Sequence, residues 1–206
     1  ALEGDELVIG AASTYQEFRA SLCDIWPAFD AMLERLGSLQ IRNRGTLGGN
    51  IANASPIGDM PPPLIALNAI LVLDGPDGQR SMPIEDFFLG YKKTALKSGE
   101  FLHSVRLPAP KTNETLHDDI SAVLGAFRMT ITDGVVSDCR LAFGGMAATP
   151  ARALHTENAL KGQPWNENTV ADAIHVLGSD FSPLSDVRAS ASYRLQVAGN
   201  LLHRAR

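Results

Sequence analysis

The feature that most constrains this chain is a run of sixteen residues, 44–59, which reads Arg-Gly-Thr-Leu-Gly-Gly-Asn-Ile-Ala-Asn-Ala-Ser-Pro-Ile-Gly-Asp. Small residues and short hydrogen-bonding side chains dominate it, and neither helical nor strand periodicity runs through the wider stretch 42–63. Apolar side chains still recur there, at Leu47, Ile51, Ile57 and Met60. These apolar positions predict an ordered loop that packs against a core, because a flexible linker does not carry regularly recurring apolar side chains.

The residue types in this run suit a dinucleotide. Gly48 and Gly49 permit unusual backbone angles and close approach, so that successive amides can point at phosphate oxygens. Asp59 can accept from a ribityl or ribose hydroxyl if it is kept away from the phosphates. The run also supplies neutral hydrogen-bond donors, namely Thr46, Asn50, Asn53 and Ser55. These residues together predict a phosphate- or nucleotide-binding loop.

A second interpretation of the same run stays open at this point. A glycine-rich surface turn also carries Asn and Ser residues, which then satisfy their own backbone. The run is not a P-loop, because no Gly-Lys-Ser or Gly-Lys-Thr follows the glycines, and it has no GxGxxG between a strand and a helix.

Composition limits the classes of partner. The chain has 206 residues, 45% of them hydrophobic, which is enough to bury the core of one large domain or two small ones. Its formal net charge is -5, and its Lys and Arg residues are scattered, so no nucleic-acid or membrane-surface footprint is predicted. The longest apolar run, residues 64–73, is interrupted by Asn68 and is shorter than the roughly 20 residues of a membrane-spanning helix.

Cysteine and histidine usage predicts no metal site. Cys23 and Cys139 lie far apart without a CxxC spacing, which argues against a disulfide framework and agrees with a reducing cytoplasm. The five histidines are dispersed, and no HExxH or HxxEH spacing occurs, so we expect structural or solvated roles for them.

The first half of the chain mixes strands and helices. A strand is expected at residues 7–12, followed by a helix that opens on a capping box formed by Ser13 with Gln16 or by Thr14 with Glu17. A second helix follows Pro27 and ends at Gly37. Residues 69–73 and 79–82 predict a hairpin, residues 84–88 a helical turn, and residues 101–107 a further strand.

Pro108-Ala-Pro110 is the predicted boundary between two domains, 1–108 and 109–206, because proline cannot continue the strand ladder. Beyond it, residues 121–132 and 135–143 alternate as strands around an Asp133-Gly134 turn, which is a hairpin signal. Helices are expected from residue 149 or 150 to Gly162, at 168–177 and at 190–204. The predicted fold class is α+β, ending in a small antiparallel sheet packed by helices.

Residues 40–62, Gln-Ile-Arg-Asn-Arg-Gly-Thr-Leu-Gly-Gly-Asn-Ile-Ala-Asn-Ala-Ser-Pro-Ile-Gly-Asp-Met-Pro-Pro, resemble the second FAD-binding motif of the xanthine dehydrogenase and carbon monoxide dehydrogenase flavoproteins. Further stretches resemble that family in the same order, at residues 82–93, 99–101, 119–123, 141–147 and 181–190. The last two stretches look closer to bacterial xanthine dehydrogenase than to the carbon monoxide or aromatic-ring hydroxylating branches.

The resemblance implies cofactor contacts at particular residues. Leu102 corresponds to an apolar residue that packs near the isoalloxazine, and Leu36 falls where relatives often place an aromatic ring, although core packing explains both leucines equally well. Lys111 and Asp118 correspond to residues near the flavin and the nicotinamide entrance, with a solvated charged turn as the alternative. The residues implied to contact the ribityl and pyrophosphate of FAD are Thr46, Gly48, Gly49, Asn50, Asn53 and Asp59.

The family pattern also differs from this sequence in two places. Its earlier FAD loop, a Gly-Gly-Thr-Asp-like turn, is expected upstream of Ala1, so that this chain would be the C-terminal lobe of a two-lobed FAD-binding domain and bind FAD weakly alone. Residues 111–120 replace a longer aromatic strand of the family, and only the Asp-Asp-Ile at their end matches it well.

The resemblance implies a function in electron transfer. In such an enzyme a molybdopterin centre oxidises hypoxanthine or xanthine, [2Fe-2S] clusters pass the electrons on, and FAD delivers hydride to NAD⁺. This chain would hold the FAD in the cytoplasm, beside iron-sulfur and molybdopterin domains or subunits. No catalytic side chain of its own is expected. The alternatives are a non-flavin docking or scaffold module, a regulatory nucleotide-binding domain, or a related enzyme that hydroxylates another heteroaromatic or an aldehyde.

Overall fold

The computed structural model describes residues 2–120 and 122–206. The first sheet has five antiparallel strands in the spatial order β1-β2-β7-β3-β4. These strands are β1 (Leu2–Glu3), β2 (Glu6–Gly10), β3 (Ile70–Asp74), β4 (Arg80–Pro83) and β7 (Phe101–Pro108). The central strand β7 pairs with both β2 and β3, and its alternate side chains, including Val105 and Leu107, are fully buried. A separate two-stranded ribbon consists of β5 (Phe88–Gly90) and β6 (Lys93–Thr94).

Two amphipathic helices follow β2, as the sequence predicts. Helix α1 (Tyr15–Ile25) begins at a capping box formed by Thr14 and Glu17, and it buries Phe18 and Leu22. Helix α2 (Ala28–Arg35) follows Pro27, and Gly37 adopts a left-handed φ of 57° just after its end.

The glycine-rich stretch, predicted to be an ordered loop, is ordered and packed against the core but is largely helical. It contains three short helices, α3 (Leu39–Arg42), α4 (Leu47–Ala52) and α5 (Pro61–Ala66). Each is too short for periodicity to reveal, and α4 depends on its N-cap, where Thr46 Oγ1 accepts from the Gly49 amide. Helix α5 begins with three prolines. Proline has no amide hydrogen, and amides in the first turn of a helix have no partner within the helix, so proline is tolerated there.

The second sheet has four antiparallel strands in the order β11-β10-β9-β8, covered by three helices. The predicted hairpin around Asp133-Gly134 is confirmed: both turn residues have positive φ, 52° and 75°. The elements are β8 (Glu114–Ile120), β9 (Leu124–Thr132), β10 (Val135–Gly144), β11 (Ala151–Arg152), α6 (Leu154–Leu160), α7 (Glu167–Asp180) and α8 (Ala191–Arg204). Ser121, the first residue of the predicted hairpin, lies outside the described residues.

Residues 111–120, for which a charged turn was the alternative at Lys111 and Asp118, contain both a turn and a strand. Lys111 O accepts from the Glu114 amide at 3.1 Å in a turn, and β8 pairs along β9 from Glu114 onwards as an edge strand that includes Asp118. One prediction for this half was wrong. The helix expected from residue 149 or 150 begins only at Leu154, because Ala151 and Arg152 first pair with β10.

The two halves share a packed and charged interface. Helix α5 contacts β9 and β10, and residues of both halves belong to one apolar cluster. Arg140 of β10 donates to the carbonyl of Ile65 in α5 at 2.9 Å and pairs with Glu85. The domain division at residues 108 and 109 stays a prediction. Within residues 2–120 and 122–206, no helix has the length and apolarity to cross a membrane, and no cluster of His, Cys, Asp or Glu is suited to a metal ion.

Candidate functional site

The glycine-rich stretch is fastened to the turn between β2 and α1 by main-chain hydrogen bonds. This turn, residues 11–15, runs beside α4, and an antiparallel bridge joins Thr14 to Thr46. The bonds are Gly48 N to Ala11 O at 2.8 Å, Leu47 N to Ser13 O at 3.1 Å, and Tyr15 N to Gly45 O at 3.1 Å. The start of α4 is therefore held at a fixed position over the end of the first sheet.

Gly48 is required by this contact. A Cβ at residue 48 would lie 2.6 Å from the Ala11 Cβ and 2.8 Å from the Ala11 carbonyl oxygen, so any side chain would force α4 away from the turn. The expectation that the amides of Gly48 and Gly49 point freely toward phosphates is wrong here, since they donate to Ala11 O and Thr46 Oγ1. Neither glycine has a positive φ, so unusual backbone angles are not their role either.

An open cavity of about 550 Å³ lies beside α4. We call it the α4 groove. Four of the predicted cofactor-binding residues line it, Thr46, Gly49, Asn50 and Asp59, and so does Leu36. Its other walls are Tyr15, Gly37, Ile41, Arg44 and Gly45. A smaller cavity of about 70 Å³ shares Leu36, Gly37 and Asp59 with it and adds Met32 and Arg35 from α2.

The remaining predicted residues lie away from the groove walls. Gly48 is buried behind the floor, and Asn53 is exposed at the end of α4. Leu102 is buried in the core, where it lies opposite Leu73 in the first sheet. Lys111 is exposed, and its amide donates to Glu114. Assignment of these four to the cofactor stays a prediction.

The polar groups of the groove differ in how far the protein satisfies them. Thr46 Oγ1 accepts from Gly49 N at 3.0 Å, which leaves the hydroxyl hydrogen to donate elsewhere. Asn50 Oδ1 accepts from Met60 N at 3.2 Å, so this amide joins α4 to the start of α5. The Asp59 carboxylate has no hydrogen bond or ion pair within the described residues, and partial burial raises its pKa above the ordinary value.

Arg44 places a positive charge at the rim of the groove. Its side chain is exposed and has no ion pair or hydrogen bond; among the arginines of the described chain only Arg188, on a distant loop, shares that condition. Every other arginine side chain has a carboxylate or carbonyl partner. A guanidinium without a partner in the protein is suited to bind an anion.

Sequence reasoning missed Tyr15 and Arg44 as groove residues. Tyr15 is the first residue of α1, and nothing in its spacing indicates that it packs on Gly45, 30 positions later in the chain. Gly45 gives the clearest signal in retrospect, because a Cβ there would lie 2.8 Å from the Tyr15 ring. Arg44 is the first residue of the run, but its charge alone does not distinguish it from Arg42. The Arg42 side chain donates to three carbonyl oxygens.

Asp118 lies at a contact between the two halves of the chain and not on the groove. Its side chain is 7% exposed and has an ion-pair distance of 3.6 Å to Arg35 in α2. Its Oδ2 atom is buried without a hydrogen-bond partner. Burial raises the pKa of Asp118 to about 6, although the charge of Arg35 acts in the opposite direction.

Family comparisons divide the chain into two matched segments. Residues 1–110 match the family described as the FAD binding domain in molybdopterin dehydrogenase. Residues 111–206 match the CO dehydrogenase flavoprotein C-terminal domain.

Three curated proteins are similar in sequence. Glyceraldehyde dehydrogenase medium chain of Sulfolobus acidocaldarius is 32% identical over 208 residues, which cover 96% of this chain and 73% of that protein. Nicotinate hydroxylase of Emericella nidulans is 38% identical over 181 residues, 80% of this chain. Xanthine dehydrogenase/oxidase of Gallus gallus is 39% identical over 172 residues, 75% of this chain. The matched segment spans only 13% of the length of each of the last two proteins.

A solved structure has the same fold. A carbon monoxide dehydrogenase chain from Hydrogenophaga pseudoflava superposes with a TM-score of 0.93 at 31% sequence identity, and the match covers 99% of this chain and 75% of the other. The mixed arrangement of antiparallel sheets and helices predicted from the sequence is thereby confirmed.

Proposed function

Because the chain belongs to the FAD-binding flavoprotein family of molybdenum hydroxylases, we propose that its α4 groove is where FAD binds. One observation carries this proposal. The groove gathers a cation, a carboxylate and neutral donors from residues 44–59 around one open cavity of a size typical of ligand sites. A surface turn that only satisfied its own backbone would not also place the Arg44 guanidinium and the Asp59 carboxylate, neither of which has a protein partner, on one cavity.

The groove residues fit the chemistry of a dinucleotide. Arg44 can neutralise a phosphate, and the Thr46 hydroxyl can donate to a neighbouring oxygen. Asp59 can accept from a sugar or ribityl hydroxyl, which an anion does only at a distance from the phosphates. The absence of a side chain at Gly49 leaves space at the floor of the groove. A Cβ there would lie 2.9 Å from Thr46 Oγ1. Side chains rather than free backbone amides would therefore make these contacts.

The protein's contribution is to bind and orient the cofactor. Bound FAD would supply the electron-carrying chemistry, accepting electrons and releasing them as hydride. None of the groove residues is required as a general acid or base for that chemistry. Leu36 and Tyr15, both buried, form an apolar part of the groove wall.

We further propose that the complete enzyme resembles xanthine dehydrogenase. In it, [2Fe-2S] clusters and molybdopterin on partner domains or subunits would deliver electrons from hypoxanthine or xanthine through this FAD to NAD⁺. The identity of 39% to xanthine dehydrogenase/oxidase of Gallus gallus supports this choice. The names of the other relatives, nicotinate hydroxylase and glyceraldehyde dehydrogenase, keep another heteroaromatic or an aldehyde as the alternative substrate. A cytoplasmic location stays a prediction.

Titration of the 206-residue chain with FAD, followed by flavin fluorescence, tests the groove assignment. We expect weak but saturable binding, as for one lobe of a two-lobed FAD-binding domain, and we expect it to be lost in Gly49→Val and in Asp59→Ala. Ala52→Val is the matched control, because Ala52 is exposed on the same helix but does not line the groove. Equal binding by all variants would place FAD elsewhere. Absence of FAD binding by the wild type would support a docking module, and displacement by ADP in preference to FAD would support a regulatory nucleotide site.

A further inference from the structure

A segment that borders the α4 groove, residues 56–65, is attached at both ends to the second half of the chain. We call it the α5 segment. At its start, the Gly145 amide donates to Pro56 O at 2.7 Å. At its end, two nitrogens of the Arg140 guanidinium donate to Ile65 O at 3.1 and 2.9 Å. Both attachments come from β10 or the residue that follows it, so one strand of the second sheet holds both ends of the segment.

Arg140 holds the C-terminal end of helix α5. Ile65 is the next-to-last residue of this helix, and the last carbonyls of a helix have no amide partner within the helix. A guanidinium suits that position because it donates hydrogen bonds and carries a positive charge. The Arg140 side chain is 11% exposed and also pairs with Glu85, in the helical turn that follows β4. Arg140 therefore joins two elements of the first half to the second sheet.

The α5 segment is stiff between its two attachments. Its helix begins with three consecutive prolines, whose rings fix φ, and all six residues of the helix are buried. The helix packs on β9 and β10. Gly144 permits the close approach of β10, since a Cβ there would lie 3.1 Å from Pro62 Cγ. A displacement at one end of so rigid and closely packed a segment is transmitted to the other end.

The groove end of the α5 segment carries Asp59. Its carboxylate lines the groove but has no hydrogen bond or ion pair in the part of the chain that the structure describes, so its position depends on its main chain. The next amide, that of Met60, donates to Asn50 Oδ1 at 3.2 Å and so joins this main chain to α4. Asp59 therefore lies where the α5 segment meets α4.

We propose that Arg140 is a positioning residue of the α4 groove: by holding the end of α5 to the second sheet, it fixes the main chain that carries Asp59. Gly145 holds the start of the same segment, so the second half of the chain supports a site in the first half. Arg140 itself does not line the groove. As a contribution to FAD binding, this inference rests on the proposed function.

Arg140→Gln is the test variant, because it removes the guanidinium that holds α5. Arg128→Gln is the matched control. Arg128 lies directly opposite Arg140 on β9 and is 13% exposed, and its carboxylate partners, Glu114 and Asp138, both belong to the second half. Both variants lose a largely buried arginine from the same sheet, but only Arg140→Gln loses a bond to α5.

Hydrogen exchange of the flavin-free protein keeps this inference separate from the proposed function. The Met60 amide reports opening of the α5 segment, and the amide of Val105, which is fully buried in the first sheet, reports opening of the whole protein. In Arg140→Gln the Met60 rate should rise about tenfold more than the Val105 rate, as expected for the loss of a hydrogen bond from a charged donor. In Arg128→Gln it should rise no more than the Val105 rate. The same result in Arg140→Gln would overturn the inference.

FAD titration gives the corresponding result at the groove. The FAD dissociation constant should be about tenfold weaker for Arg140→Gln and unchanged for Arg128→Gln, even when both variants unfold at the same denaturant concentration. If the wild type binds no FAD but the Met60 amide exchanges faster as described, the proposed function fails and the positioning role stands. If the wild type binds FAD and Arg140→Gln binds it equally well, the inference is overturned.

A second variant covers loss of folding in Arg140→Gln. Gly144→Ala changes no charge, and its new methyl group presses on Pro62 at the start of α5. The NMR signals of the Met60 amide and the Asn50 side-chain amide should shift in this variant. Gly178→Ala, whose Cβ meets nothing within 4 Å, should leave them unchanged. Unmoved Met60 and Asn50 signals in Gly144→Ala would contradict the inference.

Discussion

Replacement of Asp118 by Asn should make the protein more stable near neutral pH and leave its stability at acid pH unchanged. The folded-state pKa of Asp118 is raised from 3.8 to about 6, chiefly by burial. A carboxyl group with a raised pKa binds its proton more tightly in the folded state. Its contribution to stability is thus fully present below pH 3.8 and is lost as the pH rises through 6.

The magnitude follows from the size of this shift. One pKa unit corresponds to about 1.4 kcal/mol, so ionisation of Asp118 at pH 7.5 should lower the free energy of unfolding by about 2–3 kcal/mol. The geometry accounts for this cost: Oδ2 is buried without a hydrogen bond, and the Arg35 guanidinium, at 3.6 Å, is too far away to donate one. An uncharged amide of the same shape avoids the cost.

Chemical denaturation at pH 4, 5, 6 and 7.5 measures the effect. The stability difference between Asp118→Asn and wild type should be close to zero at pH 4 and reach about 2–3 kcal/mol by pH 7.5. Asp119→Asn is the control, because Asp119 pairs with Arg204 at the surface, where such a pair contributes at most about 1 kcal/mol. A difference that is the same at pH 4 and pH 7.5 would refute the reasoning.

Two further predictions concern glycine packing and charge in the groove. Gly48→Ala should destabilise the protein by about 1–3 kcal/mol and weaken FAD binding, because the new Cβ would overlap Ala11. Gly178→Ala is the comparison, because a Cβ at this exposed position of α7 meets nothing within 4 Å. This variant should stabilise the protein by up to about 1 kcal/mol. Thermal and chemical unfolding distinguish the two, and an equal gain in both variants would show that helix propensity rather than the contact with Ala11 decides. Arg44→Gln should weaken FAD binding by about tenfold at low salt and reduce the dependence of FAD affinity on salt. Arg188→Gln should change neither the affinity nor its salt dependence. FAD titrations at two salt concentrations measure both quantities, and equal behaviour of the two variants would contradict the account.

Local signals with a direct physical cause were sufficient to predict much of the fold. The Thr14–Glu17 capping box begins α1 as expected, because both of its hydrogen bonds are formed within four residues. The Asp133-Gly134 turn predicts its hairpin for a similar reason, since two consecutive positive φ angles restrict the residues that fit. Such elements need no information from distant parts of the chain.

Elements that depend on distant contacts could not be predicted in the same way. Helix α4 exists because the turn at residues 11–15 accepts its first amides, and that turn lies more than thirty residues earlier in the chain. The glycines of the run were therefore assigned to phosphate binding, whereas Gly48 serves close packing. Tyr15 was missed for the same reason: it meets Gly45 and lines the groove only once the start of α1 and the start of α4 lie side by side.

The most direct test of the central claim is an amide NMR titration of the isotope-labelled 206-residue chain with FAD. The account predicts saturable shift changes confined to the α4 groove, at Arg44, Thr46, Gly49, Asn50 and Asp59, with none at the cavity near Phe127 and Leu201 in the second half of the chain. Saturable changes centred on that second cavity, with the groove signals unmoved, would contradict it.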